Sequence, residues 1–353
     1  GLPQTLFAVE AAIDDLAAQL GISPYEFRRR NVIKPGDAML SPAGTHYDDI
    51  EIGSYGLDQC LDLVEHAMQA GTPHDLSDDW LIGDGIALTM IDTVPPEGHI
   101  AEVTIAIRDD GDYDLIVGTA EFGNGTATVH RQIAATTLGC TVDQIHLRQS
   151  DTRNGGHDTG AYGSAGTFVA GKATHDAAQK LVAAMQAGDG VRSALGTSGG
   201  TPRSVAFNVQ GFRVAVNKGT GAIRILKSVQ AADAGAVANP MQLRGQVEGG
   251  VAQSIGATLY EEMVIDGGGR VINPKFRDYH LPSFADVPRT EVYFADTHDA
   301  IGPLGAKSMS ESPYNPVAAA MGNALFNATG IRFTQVPFKP DRIWPALREK
   351  FGE

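Results

Sequence analysis

The chain has 353 residues, 42% hydrophobic and 20% charged, enough for two or three packed units. Its net charge of -15 argues against a nucleic-acid partner, and no apolar run reaches the ~20 residues that a membrane-spanning helix needs. Two cysteines, Cys60 and Cys140, exclude a disulfide scaffold, a Cys-rich zinc site and an iron–sulfur cluster built by this chain alone, and they suit a reducing compartment.

Residues 1–35 are expected to form helix, break, helix. Leu6, Phe7, Val9, Ala12, Ile13, Leu16 and Leu20 follow helical spacing, and their polar neighbours rule out a signal peptide. Gly21 ends the first helix; Ser23, Pro24 and Glu26 read as the N-cap, N1 proline and N3 acid of a capping box. Residues 36–56 are loop-like, and Leu57, Leu61, Val64 and Met68 mark a further helix. From Gly83 the pattern alternates: Ile86, Leu88 and Met90, then Val103, Ile105 and Ile107, a turn at Asp109–Asp112, then Tyr113, Leu115 and Val117. A helix through Val129 and Ile133, a strand at Ile145 and Leu147, and a helix ending near Met185 follow. Residues 187–203 read as a linker. The rhythm then recurs, with Phe212, Val214 and Val216, a turn at Lys218–Gly221, then Ile223 and Ile225, and a helix from Gln246 to Leu259. This predicts an α+β fold of mixed sheets and helices with a weak internal duplication. A helix over 317–329 and a terminal strand and turn complete the expectation.

Forty-two glycines gather largely in loops, and four loops stand out as chemical candidates. Glu121-Phe-Gly-Asn-Gly-Thr126 precedes a helix, where Gly123 and Gly125 would let free amides meet an anion. Alone, such a turn is as often only a turn. Asp158 to Thr167, with Gly163 and Ser164, offers small residues and hydroxyls, or is a plain surface loop. In Gly245 to Gln253, Gln246 and Gln253 are seven apart and share a helix face with Gly249 and Gly250. Carboxamides there can both donate and accept along a pterin edge. The bland alternative is close helix packing. Gly305-Ala-Lys-Ser-Met-Ser-Glu311 leads small residues up to one carboxylate, which in a partly apolar loop would have a raised pKa and serve as a base. By itself, a loop Glu is usually just solvated.

Taken in order, Leu20-to-Asn31, Glu121-Phe-Gly-Asn-Gly, Asn239-Pro-Met, Gly245-Gln-Val-Glu-Gly-Gly, Gly305-to-Glu311, Asn323-Ala-Leu and Ala328-Thr-Gly-Ile-Arg332 resemble one family closely. It is the molybdenum-binding (large) subunit of xanthine dehydrogenases, aldehyde oxidases and related N-heterocycle hydroxylases. The resemblance implies a molybdopterin cofactor, in its cytosine dinucleotide form, whose molybdenum carries oxo, sulfido and hydroxide ligands and is held by the pterin rather than by a side chain. It implies that Glu311 is the base for inserting water-derived oxygen into a carbon–hydrogen bond of an aldehyde or N-heteroaromatic substrate. Gln132, Gly163, Ser164, Gln246, Gln253 and Lys307 match positions on the cofactor side, with Gly123 and Gly125 in the first loop.

The same resemblance implies three units: 1–82 completing the other half of the subunit, and cofactor-binding units at 83–190 and 191–353. It implies an N-terminal partner half bearing an Arg-Gly-Phe motif, a small [2Fe-2S] subunit and an FAD subunit, because this chain carries no set of cluster thiolates and no dinucleotide fingerprint. A cytoplasmic location follows, or a periplasmic one if a partner exports it. Two departures stand out: Ser308 and Ser310 occupy positions where the family usually has glycine, and the 187–203 region is short. A non-catalytic scaffold of the same fold is the competing reading.

Overall fold

The computed structural model describes residues 1–39, 49–92, 99–199 and 201–352; the 40–48 part of the expected 36–56 loop lies outside them. The chain opens with helices α1 (Leu2–Gln19) and α2 (Pro24–Asn31), broken at Gly21 with φ +65°. Ser23 caps α2, its Oγ accepting from the Tyr25 amide at 3.3 Å. Glu26 does not close the expected capping box; it pairs with Arg30 one turn on, at 2.7 Å. Helix α3 (Leu57–Gln69) follows, burying Leu57, Leu61, Val64 and Met68 on one side.

The remaining elements, in order, are β1 (Trp80–Asp92), β2 (Ala101–Ile107), β3 (Tyr113–Val117), α4 (Thr126–Leu138), β4 (Ile145–Gln149), α5 (Gly171–Ala187), β5 (Ser193–Ser198), β6 (Val205–Asn217), β7 (Ile223–Asp233), α6 (Pro240–Leu259), α7 (Phe276–Tyr279), β8 (Thr290–Phe294), α8 (Val317–Thr329) and α9 (Pro340–Phe351). They build two four-stranded mixed sheets, ordered β4-β3-β2-β5 and β1-β6-β7-β8.

The duplication is visible in how these sheets are wired. In the first, the antiparallel hairpin β2–β3 is followed by α4 and a parallel edge strand, β4. In the second, the hairpin β6–β7 is followed by α6 and a parallel edge strand, β8. Helix α5 covers the first sheet and α8 the second. Each hairpin gains one more antiparallel neighbour, β5 beside β2 and β1 beside β6. A glycine permits the helix contact in both. A Cβ on Gly196 of β5 would stand 2.0 Å from Ala173 O of α5, and one on Gly85 of β1 would stand 2.1 Å from Ala324 N of α8. The cover helices lie on backbone there, so any side chain would overpack the interface.

Three readings are corrected. Residues 187–203 are not a plain linker, because 193–198 form β5 and complete the first sheet. Helix α6 starts at Pro240, not Gln246: the Asn239 side chain accepts from Gln242 N at 3.1 Å, and Pro240 takes N1. The C-terminal segment is a helix, α9, whose Ile343 and Leu347, four apart, are buried despite Pro345 inside it. Each sheet draws strands from both sides of residue 190: β1 pairs with β6, and β5 with β2.

Candidate active site

The loops after β3 and β7 and the segment 303–311 converge beside the N-terminal half of α6. Two cavities lie there, of about 60 and 290 Å³, sharing the wall Ala236–Ala238 and Ala306. Asn124, Thr167, Asn239, Gln242, Gln246 and Met309 line the smaller; Gln132 and Cys140 line the larger. The wall is cheap to approach closely because it is alanine and valine, exposing backbone rather than long side chains.

The glycine loop does not behave as expected. Gly123 and Gly125 have φ +99° and +79°, a conformation that glycine adopts freely, and they do turn amides inward. Those amides are not free, however. The Glu121 carboxylate fills the concavity itself: Oε1 accepts from Gly123 N at 2.7 Å and Gly125 N at 3.1 Å, and Oε2 accepts from Ala127 N at 3.0 Å. Burial would raise the Glu121 pKa, but the amides of Ala127, Gly125, Gly123 and Asn124 outweigh it and hold the carboxyl below its usual range. The anion at the start of α4 is therefore a side chain of this chain.

Amide side chains rim the smaller cavity. The Gln246 Nε2 reaches Gly123 O at 3.5 Å. The Asn239 Nδ2 donates to Gln132 Oε1 at 3.4 Å, so Gln132 joins the site across the two halves of the duplication. Gln242 donates through Nε2 to Thr128 Oγ1 at 3.2 Å while its Oε1 is buried without a partner. An unmatched buried acceptor in a cavity wall calls for a donor from a ligand. Gln242 went unnoticed in the sequence; its signal was a spacing of four from Gln246 on the same helix. Gln253, two turns further along α6, is exposed and lines neither cavity. Gly250 serves packing: a Cβ there would stand 2.9 Å from Pro313 Cβ.

Lys307 contributes to the cavity wall, but its ammonium is turned away. Nζ is fully buried, bonded to Asp233 Oδ2 at 2.7 Å and Ser54 O at 2.9 Å. Asp233 also accepts from Gly56 N and Thr297 Oγ1. This lysine fastens the 303–311 segment to the end of β7.

Glu311 lies two residues beyond the cavity-lining Met309 and is exposed. Its backbone N–H donates to Ser164 Oγ at 3.0 Å, and Ser164 Oγ donates in turn to Glu311 Oε2, also at 3.0 Å. Gly163 and Ser164 both have φ +58°, so the loop is bent sharply to present this hydroxyl. Ser308 makes the parallel link, its Oγ accepting from Phe168 N at 3.1 Å. Ser308 thus ties the 303–311 segment to the start of the helical turn after the 158–167 loop. Tyr162 is half-exposed against His99, ring centroids 4.7 Å apart, and Tyr314 is partly buried.

The donor set fits a pterin. Its alternating ring donors and acceptors match the carboxamides of Gln132, Asn239, Gln242 and Gln246, the open Gln242 acceptor is unmet within the chain, and a Cβ on Gly123 would meet only open space. No cluster of three or more metal-ligating side chains occurs among the described residues.

The profile of a family described as a molybdopterin cofactor-binding domain matches residues 62–195 and again 191–288, in keeping with the duplication. The chain is 30% identical to the protein named "Probable hypoxanthine oxidase XdhD" of Escherichia coli K12, over 99% of this chain and 41% of the relative. It is also 30% identical to a xanthine dehydrogenase molybdenum-binding subunit of E. coli O157:H7, over 98% and 52%. The aldehyde oxidoreductase structure from Desulfovibrio gigas superposes with a TM-score of 0.86 at 24% identity, over 99% of this chain and 41% of that one. The chain thus spans about half the length of the relatives it matches.

Proposed function

The chain belongs to the molybdopterin-binding family, as a molybdenum-binding subunit of the xanthine dehydrogenase/aldehyde oxidase type, and from that premise we propose that it carries the catalytic base of a molybdenum hydroxylase. The observation that supports this reading is the reciprocal bond between Ser164 and Glu311, two residues beyond the cavity-lining Met309.

The cofactor, when bound, supplies the oxidising metal centre and its activated water. This chain's residues would do the rest. Gln132, Asn239, Gln242 and Gln246 would hold the pterin edge. The Glu311 carboxylate, with one oxygen engaged by Ser164, would receive the proton as oxygen is transferred to an electron-poor carbon of an aldehyde or N-heteroaromatic substrate. Gly123, Gly125 and Gly163 would allow backbone approach. Gln253 would act at the outer edge, with the cytosine dinucleotide extension or a partner chain.

The relatives' greater length supports a companion segment completing the subunit, and residues 1–82 would lie against it, with 83–190 and 191–353 as cofactor-binding units. Electrons must leave singly, and this chain has two cysteines far apart, so a [2Fe-2S] subunit and an FAD subunit complete the assembly in this reading. Two free thiols, Cys60 and Cys140, support a cytoplasmic location.

The test is Glu311→Gln in the assembled enzyme. Molybdenum and pterin content should be unchanged while turnover falls ~10²–10⁴-fold. Near-normal turnover removes Glu311 from the chemistry. A complex that never contains molybdenum favours the scaffold reading.

A further inference from the structure

A second cleft, of about 470 Å³, opens at the far end of α6 from the cofactor site. It shares no lining residue with the two cavities of that site. Helix α6 has 20 residues, so its ends are roughly 30 Å apart. The cleft lies between the end of α6, the turn after α7 and the start of α9. Ile223, Leu259 and Phe338 give it an apolar floor.

Two aromatic faces stand over that floor. The Tyr260 and His280 rings are 5.1 Å apart, inclined by 31°. His280 ends α7 with φ +60°, a conformation that side-chain-bearing residues seldom adopt, and this directs the imidazole toward Tyr260. Asp278 and Asp341, both exposed, form the rim. The ammonium in the lining, Lys339, is committed to Glu262 Oε2 at 2.8 Å, and Arg342 binds the other oxygen of the same carboxylate. Asp286 adds a further negative charge near Tyr260 and His280. The cleft therefore combines an apolar base, ring faces and carboxylates at its rim.

We propose that this cleft is a binding site for a small organic cation with an apolar body, of the aryl- or alkylammonium class. The apolar body would cover Leu259 and Phe338, and the cationic head would sit before the Tyr260 ring, whose electron-rich π face attracts it. The carboxylates of Asp278 and Asp341 make the site selective for positive charge over a neutral molecule of equal shape. An anion would face those carboxylates, with Lys339, the basic side chain of the lining, already engaged by Glu262.

The test uses phenyltrimethylammonium, which has no electron-poor ring carbon beside nitrogen and so is not a hydroxylation substrate. Its binding to the assembled enzyme is measured by calorimetry beside tert-butylbenzene and benzenesulfonate. Saturable binding with Kd on the order of 0.1–1 mM is expected, at least about tenfold tighter than for tert-butylbenzene, with none for benzenesulfonate. Tyr260→Ala, and separately Asp278→Asn with Asp341→Lys, should each weaken it about tenfold or more, while Glu311→Gln leaves it unchanged. The Asp pair is exposed, so its variant tests the site even if Tyr260→Ala impairs folding. No saturable binding by ~10 mM, equal binding of the neutral probe, or loss on Glu311→Gln instead of the cleft variants would each overturn the proposal.

Discussion

Ser164 and Glu311 lie 147 positions apart, yet one hydroxyl serves two atoms of one residue, accepting from the Glu311 amide and donating to its carboxylate, each at 3.0 Å. The first bond places the backbone and the second limits the carboxylate's rotation. In the role proposed for Glu311, a carboxylate held this way would need no reorganisation when the proton arrives.

Ser164→Ala should therefore lower kcat ~10–100-fold in the assembled enzyme, with cofactor content and KM little changed. Ser164→Gly should lower kcat as much, but because φ is +58° here it should be more stable than Ser164→Ala by about 1 kcal/mol. Unfolding curves and single-turnover rates on the two variants separate the hydroxyl from the backbone strain. An Ala variant with full activity would show that the bond does not matter.

Glu121 occupies the amide concavity before α4. Glu121→Gln keeps the shape but replaces a charged acceptor with a neutral one. Stability should drop by ~0.5–2 kcal/mol, and pterin content should fall with it, since the same loop borders the cleft. Unchanged melting temperature and full pterin content would mean that the loop holds its form without the carboxylate.

Lys307→Met should strip Asp233 of its buried cation and destabilise the chain by ~3–5 kcal/mol. Lys307→Met combined with Asp233→Asn should recover part of that loss. A lysine that touched cofactor would behave differently: Lys307→Met would cost cofactor affinity and leave the melting temperature alone. Denaturation of the single and double variants distinguishes the two.

His130 is fully buried, and burial pushes its pKa down to about 4. The Thr174 hydroxyl donates to Ala170 O, so it accepts from His130 Nδ1 at 2.9 Å, which leaves Nε2 a buried acceptor without a partner. An unfolded chain takes up this proton near pH 6.5, before the folded one does. The stability from neutral His130 is thus whole above pH 6.5 and declines as pH falls from 6.5 towards about 4. At roughly 1.4 kcal/mol per pH unit the loss approaches ~3 kcal/mol. His130→Gln should flatten that slope relative to wild type in chemical denaturation from pH 7 to 4. Parallel slopes would show that other groups govern acid stability.

Local pattern by itself determined a good deal of this protein. Alternation at Val103–Ile107 and Tyr113–Val117 marked β2 and β3, because a strand half-buried on one face shows its period in any context. The order of the loop signatures was enough to identify the family, since each sits in a short stretch whose spacing does not depend on distant contacts. Helix α9 escaped because Pro345 reads as a breaker, whereas the burial of Ile343 and Leu347 that stabilises it exists only against the rest of the fold.

Tertiary structure decided the pairings and the use of each polar group. Nothing in 80–92 says that β1 pairs with β6 rather than β2: a strand's pattern encodes which face is buried and is silent about its edge partners. Lys307 sits in a loop that looks made for a ligand, yet its ammonium goes to Asp233, 74 positions away, because a buried carboxylate is a stronger claim on a cation than an open cavity. The glycine loop offered its amides in the sequence, and the fold gave them to Glu121. Donors and acceptors are written locally, but what satisfies them depends on what folding brings within 3 Å.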